Sequence, residues 1–180
     1  MLNEEGATSE AQLLELLALR AAGLPPRKLL RLFLSDEAKP AELPLDLPKD
    51  IDCYREMIKR ARLLAEEELT RCRQAGITLL PYFASDNPTA LHALGGARPV
   101  LLYAKGDLRL LQSPASILGI VGTRQPSSEG LAAAYRIAYK EAEKGRVILS
   151  GLAYGCDAAA HHGALEATGR TIAVIATGID

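Results

Sequence analysis

The sequence is poor in aromatic side chains and in the cysteines that stabilise small secreted domains. Its 180 residues include no tryptophan, 4% aromatic residues and three cysteines. Cys53, Cys72 and Cys156 are too few and too scattered for a disulfide framework or a paired-cysteine metal site, and free cysteine is commonly a small buried side chain. Hydrophobic residues make up 48% of the chain, enough for a core of leucine, alanine, isoleucine and valine. The small number of scattered cysteines is typical of proteins from a reducing compartment.

The chain also has no long apolar run and no basic amino terminus. Glu4 and Glu5 stand where a signal peptide would be basic, and no apolar stretch approaches the length that spans a membrane. The net charge is −1, so any binding of nucleic acid has to use a local pocket and not a general excess of positive charge. We therefore expect a cytoplasmic protein without a membrane partner.

The first part of the chain predicts two short helices. Ser9 and Gln12 form a capping box, the leucines after them make an apolar face, and Pro25 ends the helix. Pro26 can open a second helix. Residues 1–38 are thus predicted to form a small all-α unit that resembles sterile-alpha-motif or helix-hairpin-helix modules. Its basic face is interpreted as solvated, because a proline in the turn removes an amide that such modules offer to phosphate.

The rest of the chain divides into a linker, a helix and a core. Three prolines spaced four residues apart in residues 39–49 prevent a helix and predict an extended linker. Apolar positions at helical spacing predict a connecting helix over residues 50–75. Residues 76–180 alternate apolar runs with helical patterns, which indicates an α/β core.

Three apolar runs in this core predict neighbouring strands. Residues 116–121, 146–149 and 171–175 are rich in β-branched side chains and do not alternate with polar ones, which is typical of a parallel sheet buried on both faces. Residues 77–80 and 99–104 are predicted as earlier strands. The predicted fold class is α/β and Rossmann-like, with a mostly parallel sheet flanked by helices and a small all-α unit before it.

A polar, glycine-rich turn follows each of the three runs. The carboxyl ends of parallel strands meet at one edge of a sheet, where helix N-termini and unpaired amides favour an anion. Arg124 supplies a forked donor suited to phosphate, and Ser127 can cap the following helix. The predicted phosphate-binding residues are Gly122, Thr123, Arg124, Ser127, Ser150, Gly151, Thr177 and Gly178.

Missing motifs exclude several common activities. No GxGxxG motif and no Walker GxxxxGK[ST] motif follows any strand, which excludes a nicotinamide dehydrogenase and a nucleoside-triphosphate motor. Asp157 and His161 could share one helix face, but no nucleophile accompanies them. We therefore interpret Asp157 as the N-cap of that helix and His161 as a packing residue. The sequence predicts no catalytic residue, no metal site and no cofactor.

Three motifs in succession carry a resemblance to a known family. They are GTRQPS at residues 122–127, SGLAYGCDAAAHHGAL at residues 150–165 and GRTIAV at residues 169–174. This order resembles the DNA-processing protein A (DprA/Smf) family. The resemblance implies a Rossmann-like core that binds single-stranded DNA without catalysing a reaction, and that helps to load the RecA recombinase during natural transformation.

The resemblance also assigns roles to particular residues. Arg124 matches the DNA-contacting arginine of the first turn, and Arg170 stands where the family usually has a pocket lysine, which keeps the charge but changes the donor geometry. Thr123, Cys156 and Thr168 replace the commoner serine, isoleucine and glycine. Family members continue with further strands, so we expect the core to be incomplete at its C-terminus. A sheet edge that needs cover favours self-association as a homodimer.

Two other functions stay open at this point. The first is a nucleotide- or nucleoside-monophosphate-binding enzyme or sensor, similar to the lysine-decarboxylase-like phosphoribohydrolases, although their PGGxGT motif is missing from these residues. The second places the working surface on residues 1–34, as a helical module that binds a partner protein.

Overall fold

The computed structural model describes residues 10–34, 51–113, 116–167 and 169–179, except for the side chains of residues 31–34 and 51–55. The chain divides into two compact units, Met1–Gly106 and Asp107–Asp180. No helix within the described ranges is long and apolar enough to cross a membrane.

Three helices build most of the first unit. Helix α1 spans Glu10–Ala21, α2 spans Pro26–Leu34 and α3 spans Ile51–Gln74, as the sequence predicts. Leu16 and Leu29 are buried in one cluster, while Leu17 packs against Ala65 in a second. Ser9 of the capping box and the linker at 39–49 lie outside the described residues.

A two-stranded sheet completes the first unit. Strand β1 spans Thr78–Pro81 and pairs antiparallel with β2, Leu101–Ala104, and a 3₁₀ helix at Thr89–Ala97 lies between them. Both strands are predicted from the sequence. The predicted domain division groups residues 76–106 with the Rossmann-like core, whereas the compact units of the structure group them with the helices.

The second unit contains the three predicted strands as a parallel sheet. After a short 3₁₀ helix at Leu108–Leu111, its described elements are β3 (Ile117–Gly119), α4 (Ser128–Glu143), β4 (Val147–Ser150), α5 (Cys156–Ala167) and β5 (Thr171–Ala173). The strand order is β3-β4-β5, and both pairings are parallel. This arrangement confirms the predicted Rossmann-like α/β class.

Both helices of this unit pack on the same face of the sheet. Ala138 and Ala142 of α4 share one buried cluster with Ala160 and Ala164 of α5 and with Ile148 of β4. Right-handed crossovers that advance in one direction across a sheet leave their helices on one side. The small side chains let the two helices approach the sheet and each other closely.

Gly163 of α5 lies in close contact with the backbone of α4. A Cβ atom added there would lie 2.4 Å from the carbonyl oxygen of Tyr135 and 3.1 Å from the amide nitrogen of Tyr139. These are backbone atoms of α4, so they cannot move aside as a flexible side chain would. Glycine at this position therefore sets the distance between the two helices.

His161 joins α5 to the sheet from inside the core. It is 5% exposed, and its Nδ1 lies 2.7 Å from Oγ1 of Thr171, which itself donates to the carbonyl oxygen of Ile148 at 2.7 Å. A hydroxyl has one proton, so Thr171 accepts from His161, and Nδ1 is the protonated nitrogen. The structure therefore agrees with the packing role that the sequence predicts for this histidine.

We predict that Gly163→Ala destabilises the protein. The added methyl group has to push α4 away, and overpacking of this kind costs about 1–3 kcal/mol. Gly130→Ala is the matched control, because a Cβ at that position meets ordinary contacts of 3.5 Å and 3.6 Å. Urea denaturation of both variants measures the difference. Equal stability of the two variants would contradict the close helix contact.

We also predict that His161 makes stability depend on pH. Burial lowers the pKa of His161, and His162 lowers it further, while the Asp157 carboxylate raises it. Above pH 6.5 the histidine is neutral in both states. Below pH 6.5 this histidine binds a proton in the unfolded chain but not in the folded chain. The free energy of unfolding therefore falls by up to about 1.4 kcal/mol per pH unit, until the pH reaches the lowered pKa of His161 in the folded state.

Urea denaturation between pH 5 and pH 8 measures this effect. His161→Asn keeps a donor near Thr171 but cannot titrate, so its stability should fall less on acidification than that of the wild type. The matched control is His162→Asn at the exposed neighbouring position. A pH profile of His161→Asn that equals that of the wild type would exclude His161 as the titrating group.

Candidate nucleic-acid interface

The three predicted turns lie at the carboxyl edge of the parallel sheet. Backbone pairing continues just past the strands, since Ile120 N donates to Leu149 O at 2.9 Å and Val174 N donates to Ser150 O at 2.9 Å. The turn after the central strand β4 is thus flanked by the turns after β3 and β5. The structure brings the segments to one edge, as the sequence predicts.

The turns after β3 and β4 interlock through their backbones. Cys156 N donates to Thr123 O at 3.2 Å. A Cβ added to Gly155 would lie 2.4 Å from Thr123 O and 2.9 Å from the carbonyl carbon of Arg124. Gly155 has φ +82, which also favours glycine. The segments around Arg124 and Gly155 are therefore in direct contact.

The Asp157 carboxylate holds the same two turns together. Its Oδ1 accepts from Gly122 N at 3.3 Å, and its Oδ2 accepts from Gly151 N at 3.2 Å and Ala153 N at 3.4 Å. The predicted N-cap role is wrong in detail, because α5 begins at Cys156 and Asp157 lies inside its first turn. Its carboxylate reaches out to both turns. Two amides predicted to face phosphate, those of Gly122 and Gly151, donate to this carboxylate instead.

Three of the predicted phosphate-binding hydroxyls have structural partners, and one of them is Thr123, whose Oγ1 accepts from Gln125 N at 3.2 Å. Ser150 is 1% exposed, and its Oγ donates to the carbonyl oxygen of Ile120 at 2.6 Å. Its burial leaves it no surface for a ligand, which corrects its assignment as a phosphate contact. Ser127 Oγ accepts from Gly130 N at 3.2 Å, which confirms the predicted cap of α4.

The remaining predicted residues are exposed, but they do not all lie at one edge. Thr123, Arg124, Thr177 and Gly178 are exposed in the turns. Arg124 has no hydrogen bond or ion pair to another described residue. Arg170 directly precedes β5, so it lies at the amino edge of the sheet. The structure therefore separates the two arginines by the length of a strand, roughly 10 Å at about 3.3 Å per residue.

The same edge exposes apolar and aromatic side chains that are not among the site residues predicted from the sequence. Tyr154 is 85% exposed and Val121 is 79% exposed, and Leu152 and Val174 are also exposed. Tyr154 neighbours Gly155, against which the backbone of Arg124 lies. An aromatic residue inside a glycine-rich turn is the signal that could have identified it, since this chain has only 4% aromatics.

A metal-binding arrangement is not found among the described side chains. No three histidine, cysteine, aspartate or glutamate residues in the described ranges lie together as ligands. The chemistry at this edge is instead the exposed Arg124 guanidinium and the exposed Tyr154 ring, on two turns fixed by one carboxylate.

Comparison with known proteins identifies relatives for most of the chain. A family model described as DNA recombination-mediator protein A matches residues 78–180. The DNA processing protein DprA of Bacillus subtilis is 35% identical over 164 residues, which cover 86% of this chain and 53% of that protein. The DNA processing protein DprA of Streptococcus pneumoniae is 46% identical over 82 residues, which cover 46% of this chain and 28% of that protein.

A solved structure agrees with these matches. The X-ray structure of DNA processing protein A from Streptococcus pneumoniae superposes with a TM-score of 0.70 and 30% sequence identity, over 92% of this chain and 58% of that chain. The chain spans about half the length of the Bacillus subtilis relative. Because the family model covers more than half of the sequence and the fold agrees, this chain belongs to the DNA recombination-mediator protein A family.

Proposed function

We propose that this chain binds single-stranded DNA, without sequence preference, at the carboxyl edge of β3, β4 and β5. The observation that carries the proposal is the placement of an exposed Arg124 and an exposed Tyr154 on two turns that are locked together. Membership of a DNA recombination-mediator family supports the choice of ligand.

The two side chains supply the two interactions that single strands need. A guanidinium offers a forked, permanently charged donor to a phosphate oxygen pair. An exposed aromatic ring stacks on any base, and each stacked base contributes about 1–3 kcal/mol. The apolar surface of Val121 and Leu152 beside them suits the faces of neighbouring bases. Since the amides of Gly122 and Gly151 donate to Asp157, the phosphate contact falls to Arg124.

The proposed function is binding and not catalysis. Asp157 is 6% exposed and its carboxylate accepts three backbone hydrogen bonds, while His161 is directed to Thr171 behind the sheet edge. The two residues that could have formed an acid–base pair thus have other partners. A strand of DNA at the edge would meet Arg124 and Tyr154 first.

We further propose that the protein assists loading of the RecA recombinase in natural transformation and forms a homodimer, in a cytoplasmic setting. Both partners follow from the family resemblance. Support for self-association comes from β3 and β5, which form the two edges of the described parallel sheet and present unpaired backbone groups. We also propose DNA contacts for Thr177 and Gly178 at the carboxyl edge, and a separate contact for Arg170 at the amino edge.

We predict that Arg124→Ala weakens binding of fluorescent oligothymidylate by about 10-fold or more, because a hydrogen bond to a charged group contributes about 1.5–3 kcal/mol. Loss of one phosphate contact should also reduce the slope of log K against log salt concentration by about 0.7. Fluorescence anisotropy at several salt concentrations measures both quantities. Arg136→Ala on the exposed side of α4 is the matched control, and Arg170→Ala tests the arginine at the other edge.

The outcomes separate the alternatives. Equal affinity and equal slope for Arg124→Ala and Arg136→Ala would exclude Arg124 as a phosphate contact. Tight binding of a free mononucleotide together with no binding of oligothymidylate would favour the nucleotide-binding alternative.

We predict that Tyr154→Ala weakens oligothymidylate binding about 5- to 160-fold, the equivalent of losing one stacked base at about 1–3 kcal/mol. Tyr154→Phe keeps the ring and should bind within about twofold of the wild type. Neither change alters the salt dependence, because the ring carries no charge. A Tyr154→Phe variant as weak as Tyr154→Ala would show that the hydroxyl and not the ring is used.

A further inference from the structure

Three backbone amides converge on one carboxylate at the edge of the sheet. Gly122 N comes from the turn after β3, and Gly151 N and Ala153 N come from the turn after β4. The two oxygens are divided between the turns, since Oδ1 accepts from the first and Oδ2 from the second. We call these three amides the amide cradle.

The cradle has the chemistry with which glycine-rich turns bind phosphate. In Rossmann-like folds such amides lie at the carboxyl ends of strands, next to a helix N-terminus, and point at an anion. Here the anion is a side chain of the same protein. Asp157 is 6% exposed, and a Cβ added to Gly151 would lie 2.9 Å from its Oδ2. The carboxylate therefore leaves no room for an outside phosphate.

We infer that Asp157 is an internal substitute for a bound phosphate, and that it determines ligand class. It occupies the amide cradle permanently, so the phosphate of a free mononucleotide cannot bind there. The exposed contacts left at this edge are Arg124 and Tyr154, which grip a strand through its backbone and bases. This inference rests on the proposed function, because it explains how the carboxyl edge would bind single-stranded DNA in preference to a free mononucleotide.

Covalent attachment makes this exclusion effective. Asp157 is held in place by α5, so it fills the cradle without the entropy that a free ligand loses on binding. A phosphate would have to displace a carboxylate of the same charge sign and leave it buried without partners. A substitution of Asp157 by a smaller residue, in contrast, removes the carboxylate and opens space. The three amides of the cradle are then left without an acceptor.

The test measures thermal unfolding in increasing inorganic phosphate against sodium chloride of equal ionic strength. Asp157→Ala and Asp157→Ser open the cradle, and phosphate should stabilise both. At a phosphate concentration of ten times the Kd, the folding equilibrium constant rises about tenfold. The wild type should show no such rise. If Asp157→Ala is unfolded without phosphate, its folding on addition of phosphate is the expected result, and the absence of any rise in both variants overturns the inference.

Two control variants distinguish the effect of the volume of the Asp157 side chain from the effect of its charge. Asp157→Asn removes the charge but keeps the volume, so phosphate should not stabilise it. Glu143→Ala removes one exposed carboxylate at the end of α4, away from the cradle, and should behave as the wild type. Phosphate stabilisation of the wild type or of Glu143→Ala that equals that of Asp157→Ala would overturn the inference.

Titrations with adenosine monophosphate and oligothymidylate complete the test. Asp157→Ala should gain binding of the mononucleotide that the wild type lacks, and should lose about tenfold or more in affinity for oligothymidylate because its turns are no longer fixed. If the wild type does not bind oligothymidylate, the proposed function fails while the phosphate result still decides the role of Asp157. If oligothymidylate binds but Asp157→Ala gains neither phosphate nor mononucleotide, the inference fails alone.

Discussion

The hydrogen bonds from Gly122, Gly151 and Ala153 to the Asp157 carboxylate hold the turns at the carboxyl edge of the parallel sheet together. A buried carboxylate is costly unless its lone pairs are satisfied, and here three amides from two turns satisfy them. The same hydrogen bonds give these three amides an acceptor, because they lie beyond the ends of β3 and β4 and cannot pair within the sheet. The positions of Arg124 and Tyr154 depend on this arrangement, since each side chain projects from a turn that the carboxylate fixes.

The helices make that carboxylate available. Asp157 lies in the first turn of α5, and α5 can approach the sheet because alanines and Gly163 face α4 and β4. One turn later, His161 contacts Thr171 of β5, while Thr171 contacts Ile148 of β4. Helix α5 therefore fixes the loops after β3 and β4 through Asp157 at its start. One helical turn later, it contacts β4 and β5 through His161 and Thr171. Packing and site geometry are consequences of the same few small residues.

Much of this structure could be predicted from the sequence, because its signals are local. Continuous β-branched runs predicted the three parallel strands, Pro26 predicted the start of α2, and Ser127 predicted the cap of α4. The internal partners of the turns could not be predicted. Ser150 and Gly151 look free for a ligand in the sequence, but Ile120 and Asp157 take their hydrogen bonds, and those contacts depend on tertiary distances. For the same reason Arg170 looked like part of one pocket with Arg124, although a strand separates them.

Because the turns are held by backbone contacts and by Asp157, the backbone conformation of the edge depends little on the exposed side chains of Arg124 and Tyr154. Main-chain donors and one helix side chain fix the turns, so the exposed side chains of Arg124 and Tyr154 contribute little to the path of the backbone. Substitutions at such exposed positions usually change stability by less than about 0.5 kcal/mol. The exposed chemistry of the edge can therefore be changed by point mutation while the backbone of the turns stays in place. Asp157 thus fixes the backbone of this edge, while the side chains of Arg124 and Tyr154 can be exchanged on it.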